Sequence, residues 1–325
     1  MRAAYYEKNG AARDVLRVGE VDTPQPGPGE VRVKLKTSGV NPSDVKAREG
    51  RTRKLGYPRV IPHSDGAGDI DMVGDGVPAS RKGERVWIWN AQWKRPFGTC
   101  AEYVVLPSAL APPLPAGASY AAGACLGIPA MTAYHAVAVA NVGKGSTVLI
   151  TGGAGGVGHY AIQFAKARGA TVLSTVSSEA KAALARQAGA DHTIDYKREN
   201  VAERVMALTG KTGVDAVVEM DLAANAKFYP GWLRPRAHVV VYGTGSAEAT
   251  IPAQPSLVNA VKIEFVYVYE LTAQEREAAV AAINRMLGSK ALINNVALSL
   301  PLDDIVAAHE AVEQGKAMGN VVVTL

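Results

Sequence analysis

The run Thr151-Gly152-Gly153-Ala154-Gly155-Gly156-Val157-Gly158 constrains the fold more than any other stretch, because a strand-like segment, Ser146 to Thr151, precedes it and a helical pattern follows. It contains G-x-G-x-x-G at Gly153, Gly155 and Gly158, and the overlapping G-x-x-G-x-x-G at Gly152, Gly155 and Gly158. Glycine is needed where a turn requires open backbone angles and the main chain must approach a pyrophosphate over the positive end of a helix. Alone, such a pattern is equally compatible with an ordinary glycine-rich turn. Its flanks weigh in favour of a phosphate site. In His159 to Arg168 the residues Ala161, Ile162 and Ala165 share one face, Gly169 is a stop signal, and Thr171 to Val176 is a second apolar strand. These pieces form one βαβ unit of a dinucleotide-binding sheet, and Gly155, Gly156 and Val157 are expected to face the pyrophosphate.

The end of the second strand points to one dinucleotide. An NAD site usually places Asp or Glu roughly 20 residues after the glycines, on the ribose 2′-hydroxyl. Here Val176, Ser177 and Ser178 occupy those positions, no carboxylate appears before Glu179, and Lys181 lies just beyond. Two hydroxyls and a cation suit the 2′-phosphate of NADPH better than the bare ribose of NADH. The alternative is that Ser177 caps the helix Glu179 to Gln187 and Lys181 is a solvated charge. Further on, Val241-Tyr-Gly-Thr-Gly245 follows a strand at the carboxyl edge of the sheet, where such folds bind ligands, so Gly243 and Thr244 are expected cofactor neighbours.

The chain has 325 residues, 48% hydrophobic and 20% charged, which suits two soluble domains of ordinary size. No apolar run reaches membrane-spanning length and the amino terminus lacks a signal-like apolar region, so a cytoplasmic protein is expected. Cys100 and Cys125 form neither a CxxC pair nor a disulfide framework. The net charge of +5 is modest and spread along the chain. One basic stretch, with Arg48, Arg51, Arg53, Lys54 and Arg59 against Glu49, reads as a solvated loop, with attraction of an anionic ligand as the alternative.

The first third is β-rich. Met1 to Tyr6, Leu16 to Val21, Glu30 to Val40, Arg85 to Trp89 and Ala101 to Leu106 read as strands between Gly and Pro clusters. From the glycine run onward, strands at 147–150, 171–175, 192–194, 216–220, 238–242 and 262–268 alternate with helices, which implies a doubly wound parallel sheet. A long amphipathic helix over 272–287, a shorter one over 302–313 and a strand over 319–325 close the chain, and periodicity does not say where they pack.

The β-rich start, Gly39-Val-Asn-Pro-Ser-Asp44, Asp65-Gly-Ala-Gly68, Gly83-Glu-Arg-Val-Trp87 and Gly153-Ala-Gly-Gly-Val-Gly158 together resemble the medium-chain dehydrogenase/reductase superfamily. Within it the chain is similar, over nearly its whole length, to the zeta-crystallin type of NADPH:quinone oxidoreductase. The resemblance implies an α/β protein: a doubly wound parallel Rossmann sheet, residues 125–268, inserted in a GroES-like β-rich catalytic domain of residues 1–124 and 269–325. It also implies a homodimer or tetramer, with the strand around Ile263 to Val268 joining subunits, although a buried central strand would read the same. For site residues it implies Asn41 beside the nicotinamide ribose, Tyr196 beside the 2′-phosphate, and Asn320 near the nicotinamide end. Asn41 could otherwise be only an Asn-Pro turn, and Tyr196 only an apolar edge.

Zinc enzymes of the superfamily place Cys in the segment matching Gly39 to Asp44 and His-Glu where Ser64-Asp65 stands here. This chain has neither, nor the four cysteines of the structural zinc lobe, so no metal is expected and His63 is not a ligand. Alcohol oxidation needs a Lewis acid or general base, whereas a conjugated acceptor spreads its new charge onto an oxygen that donors can stabilise. The expected reaction is NADPH-dependent reduction of a quinone. The alternative is reduction of an activated alkene, an enone or an enoyl thioester. Quinone reductases of this type carry tyrosines shortly after Asn-Pro, where this chain has Lys46 and Thr52. Catalytic candidates are Asn41 and, more weakly, Lys46, which could steady developing charge or be a surface lysine. Trp89 and Trp93 could stack on a planar acceptor or belong to the core. A reading of another class is RNA binding, as described for some zeta-crystallins. The lack of an RNA module or of aromatics interleaved with basic residues argues against nucleic acid, and nothing points to a membrane partner.

Overall fold

The computed structural model describes all 325 residues. Fourteen strands are β1 (Arg2–Tyr5), β2 (Arg17–Glu20), β3 (Glu30–Val40), β4 (Asp65–Val73), β5 (Arg85–Ile88), β6 (Tyr103–Pro107), β7 (Thr147–Ile150), β8 (Thr171–Val176), β9 (His192–Asp195), β10 (Val214–Glu219), β11 (Leu233–Val241), β12 (Lys262–Phe265), β13 (Val296–Pro301) and β14 (Asn320–Thr324). The chain divides into two compact units, Met1–Pro129 with Val280–Leu325, and Ala130–Ala279. Both crossings run through helical backbone, the π-turn Leu126–Ala130 and the helix Ala273–Gly288.

In the first unit one sheet has the order β13-β14-β3-β4-β5, with β6 paired to the first half of β3. The carboxy-terminal strand β14 runs antiparallel to β3, Val321 opposite Val40 and Thr324 opposite Thr37, so the end of the chain completes a sheet begun at its start. Close packing explains two of the motif glycines. A Cβ at Gly39 would sit 2.1 Å from the Ala124 carbonyl oxygen, and one at Gly68 2.1 Å from that of Lys34. Val31, Val33, Leu35, Ile70, Val86, Ile88, Val104 and Leu106 fill one core, and Leu302, Ile305, Val321 and Val323 join Tyr6, Val60 and Ile61 in another.

The second unit is a six-stranded sheet of order β12-β11-β10-β7-β8-β9, every pair parallel. Read from β9, this is the doubly wound order 3-2-1-4-5-6, whose direction of winding reverses between β7 and β10. Its central strands are apolar on both faces, as a sheet covered on two sides requires: Val148, Leu149, Val172, Leu173, Val217 and Val218 are all fully buried. The glycine run leaves β7 at the reversal, where open parallel sheets bind ligands.

Candidate active site

In the second unit, β7 ends at Ile150 and the helix Gly156–Ala167 begins six residues later. The turn between them is built for glycine. Gly152 has φ +70°, a Cβ on Gly153 would lie 2.0 Å from Ser174 Oγ, and one on Gly158 would lie 2.3 Å from the Gly152 carbonyl oxygen. Gly155 is the N-cap and has no side chain to satisfy the first amides, so the helix opens with Gly156, Val157 and Gly158 uncapped. Gly155 is exposed and Gly156 and Val157 are half-buried, which leaves the turn open to a ligand. Free N–H groups and the positive end of a 12-residue helix form an anion site that fits a pyrophosphate.

Beyond β8 the helix cap falls on a different serine from the one the capping alternative named. Ser178, not Ser177, caps the helix Glu179–Gln187 by accepting from the Lys181 amide at 3.4 Å. Ser177 Oγ instead accepts from Lys181 Nζ at 3.1 Å. Tyr196, just after β9, donates its amide to the Val176 carbonyl at 3.1 Å, and its side chain is 53% exposed. Ser177, Lys181 and Tyr196 thus stand at the carboxyl ends of adjacent strands, and Glu179 is paired along its own helix with Arg186. A hydroxyl, an ammonium and a phenol fit a phosphate ester; no carboxylate stands at the end of β8 to take both hydroxyls of a ribose diol.

Gly243 follows β11 and abuts β10, since a Cβ there would lie 2.4 Å from the Met220 carbonyl oxygen. The same Met220 covers the glycine turn, its Sδ 2.1 Å from a Cβ built on Gly152. Gly243 and its neighbour Thr244, whose hydroxyl donates to the Ser246 carbonyl at 2.8 Å, therefore stand next to the phosphate turn. Behind them lies Glu219, a residue the sequence reading missed. It is fully buried, and Oε1 accepts from Thr151 Oγ1 at 2.9 Å, the Asp221 amide at 2.6 Å and Asn225 Nδ2 at 2.9 Å, while Tyr229 donates to Oε2 at 3.2 Å. Burial raises its carboxyl above the ordinary range and these four donors oppose the rise. Thr151 begins the glycine turn, so Glu219 ties that turn to the end of β10. A carboxylate closing the apolar run Ala216 to Val218 was the available signal.

In the first unit, Asn41 lies between β3 and the helix Pro42–Glu49. Its amide N–H donates to Asp44 Oδ2 at 2.8 Å and its side-chain Nδ2 to Asp65 Oδ2 at 2.8 Å. Asp65 is fully buried, and its Oδ1 accepts from the Ile128 amide at 2.8 Å. Burial lifts the Asp65 carboxyl well above its usual range and pushes that of Asp44 up to about 7. Asn320 sits one step beyond the Val321–Val40 pair, across from Asn41, but its Nδ2 donates to the Asn295 carbonyl at 3.1 Å. Lys46 is half-buried on the helix that Asn41 opens. Trp89 is core, 2% exposed, and Trp93 has Arg53 and Lys94 near its ring, at 5.6 and 5.4 Å from the centroid. The basic stretch is not the solvated loop expected throughout, because Arg48 is wholly buried and pairs with Glu313.

No group of three or more His, Cys, Asp or Glu side chains converges as a metal cage would require. His63, with φ +78°, has both ring nitrogens occupied. Thr99 Oγ1 donates to the Asp65 carbonyl at 2.5 Å, so Ser38 Oγ, 2.8 Å away, donates to Thr99 and accepts from His63 Nδ1 at 2.7 Å. His63 Nε2 then accepts from His309 Nε2 at 3.0 Å. Both rings are fully buried and neutral, and burial lowers the pKa of His63 to about 3. This zipper joins the start of β4 to the helix Ile305–Glu313.

A doubly wound sheet with an uncapped glycine turn at its switch point, in one chain with a β-rich unit closed by its own carboxy terminus, defines a medium-chain dehydrogenase/reductase. Residues 27–116 match the alcohol dehydrogenase GroES-like domain and residues 156–285 the zinc-binding dehydrogenase family. A quinone oxidoreductase of Rattus norvegicus is 31% identical over 318 residues, covering 96% of this chain and 94% of the relative. A 2-haloacrylate reductase of a Burkholderia species is 30% identical over 336 residues, covering 99% and 98%. The structure of a mycobacterial protein complexed with NADPH superposes with a TM-score of 0.89 at 30% identity, covering 100% of both chains. The chain belongs to the zeta-crystallin-like quinone oxidoreductase family of the medium-chain dehydrogenases/reductases.

Proposed function

We propose that this protein reduces quinones with NADPH and without a metal ion. The observation that carries the reading is the end of β8, where Ser177, Lys181 and Tyr196 gather and no carboxylate stands to meet a ribose diol. Bound NADPH supplies a hydride from its dihydronicotinamide ring. The chain's own residues do the rest. Gly155, Gly156 and Val157 face the pyrophosphate at the uncapped start of the helix, Gly243 and Thr244 border the same turn, and Glu219 keeps Thr151 in place beneath it. Asn41, anchored by Asp44 and Asp65, offers one end of its amide to the oxygen on which charge develops, with Lys46 as a second source of positive charge. Asn320 donates one N–H to the Asn295 carbonyl and keeps its second N–H and its side-chain oxygen for the nicotinamide end of the cofactor.

A second reading, reduction of an activated alkene such as an enone or a halogenated acrylate, is favoured by the haloacrylate-reducing relative and by Lys46 and Thr52 in place of tyrosines. The acceptor's oxygen gains charge in both reactions, so the same donors serve. Steady-state NADPH oxidation with ortho-quinones, para-quinones, enones, 2-chloroacrylate and crotonyl thioester separates them. The expected result is turnover highest with a quinone; a preference for any of the alkenes supports the second reading, and no turnover with any acceptor sinks both.

A further inference from the structure

We infer that Arg48 and His309 together hold one buried water molecule, at a site that ties the helix Pro42–Glu49 to the helix Ile305–Glu313.

Three polar nitrogens meet no protein partner here: Arg48 Nε, Arg48 Nη1 and His309 Nδ1. Both residues are wholly buried, so each of these atoms leaves bulk water on folding and gains no protein hydrogen bond in exchange. The two side chains are neighbours. Arg48 Nη2 donates to Glu313 Oε1 and lies 3.6 Å from Glu49 Oε1. Glu313 stands four residues after His309, on the same face of its helix, so a guanidinium that reaches Glu313 lies along the face that carries the His309 ring. Arg48 is also the cation that acts on that ring.

The direction of the hydrogen bonds identifies the occupant. Thr99 Oγ1 gives its hydrogen to the Asp65 carbonyl and Ser38 gives its own to Thr99, so His63 carries a hydrogen on Nδ1 and accepts at Nε2. His309 donates to it from Nε2 and, being neutral, has a bare lone pair on Nδ1. The unpartnered atom of the imidazole is therefore an acceptor, while Nε and Nη1 of Arg48 are donors with three hydrogens between them. A chloride or a carboxylate would satisfy Arg48 but face the imidazole lone pair. A metal cation would take the lone pair but be repelled by the guanidinium. Water accepts from Nε and Nη1 and donates to Nδ1, which makes the three bonds typical of a buried water. With that molecule in place, hydrogen bonds run unbroken from Glu313 through Arg48, water, His309, His63, Ser38 and Thr99 to the main chain of Asp65. The helix that Asn41 opens is thereby joined to the start of β4.

A crystal structure of the whole chain should show an isolated density peak about 2.7–3.2 Å from His309 Nδ1 and from Arg48 Nε or Nη1. Crystals soaked in bromide should give no anomalous signal at that peak. In solution near neutral pH, the 15N spectrum of histidine-labelled protein should show His309 protonated on Nε2, with Nδ1 accepting a hydrogen bond, and His63 protonated on Nδ1. Arg48→Met keeps an unbranched stem and removes the donors; it should lose the peak and shift the His309 Nδ1 resonance to that of an acceptor without a donor. Should this variant not fold, the wild-type crystal, the bromide soak and the wild-type tautomers decide the question. No peak at the site, an Arg48 nitrogen bonded directly to His309 Nδ1, a bromide signal there, or a His309 with its proton on Nδ1 would overturn the proposal.

Discussion

Gly158 and Lys181 show how one residue can be tied to the cofactor by sterics or by charge. A methyl group at Gly158 meets main chain, the Gly152 carbonyl oxygen at 2.3 Å, which has no flexible end to move. Gly158→Ala should therefore cost on the order of 1–3 kcal/mol in stability and weaken NADPH and NADH alike, as the pyrophosphate is common to both. Melting temperature and fluorescence titration with each cofactor check this. Lys181 separates the cofactors. Its ammonium reaches Ser177 Oγ, where a 2′-phosphate would lie, and a half-exposed charge-assisted hydrogen bond contributes about 1.5 kcal/mol. Lys181→Ala should raise the NADPH KM about tenfold and leave the NADH KM unchanged. Equal effects on both cofactors would refute the assignment of the 2′-phosphate to this corner.

Between elements, the His63–His309 zipper predicts acid sensitivity. Burial holds the folded pKa of His63 near 3, against an ordinary value of about 6.5, and lowers that of His309 well below its ordinary value. The unfolded chain therefore binds more protons as pH falls below about 6.5, and stability declines from there toward pH 3 by up to about 1.4 kcal/mol per pH unit for each ring. Above pH 6.5 the contribution is complete and flat. Urea unfolding midpoints between pH 7.5 and 4.5 should show this slope, and His309→Leu, with one fewer titrating ring, should show a shallower one; an unchanged slope would rule out the zipper as its source. The same zipper shows what the sequence hides. Helix ends were legible where a cap or stop is local, so the helix Glu179–Gln187 falls where the pattern put it. Strand β4 was legible only as the motif Asp65 to Gly68, because a glycine-rich segment lacks the alternation of a strand, and β13 was not read at all. The site divides in the same way. The glycine turn and Ser177–Lys181 are local patterns, whereas Asn41–Asp65, Thr151–Glu219 and His63–His309 join residues far apart in the chain, and only long-range pairing brings them together.

At the scale of the whole molecule, the apolar segment after Ala260 could have been a buried centre or a joining edge. The structure places β12 at the edge of the parallel sheet, bonded on one side only, to β11. Phe265 at the end of that strand is 68% exposed, and Leu257 and Val258 of the preceding helix are 80% and 76% exposed. An unpaired strand beside large exposed apolar side chains is a surface that soluble proteins cover, and a second copy laid edge to edge through a two-fold axis covers it with the same residues on both sides. We therefore expect a homodimer, or a tetramer containing that dimer, joined through β12. Phe265→Glu puts a charge on that exposed edge without removing a buried side chain from the unit. Light scattering on the eluting protein should give half the wild-type mass in a dimer, or a dimer's mass if the wild type is a tetramer. NADPH binding should be retained, because β10 and β11 stand between this edge and the strand that carries the glycine turn. A wild-type protein that elutes as a monomer, or a variant whose mass is unchanged, would show that this edge is not where the subunits meet.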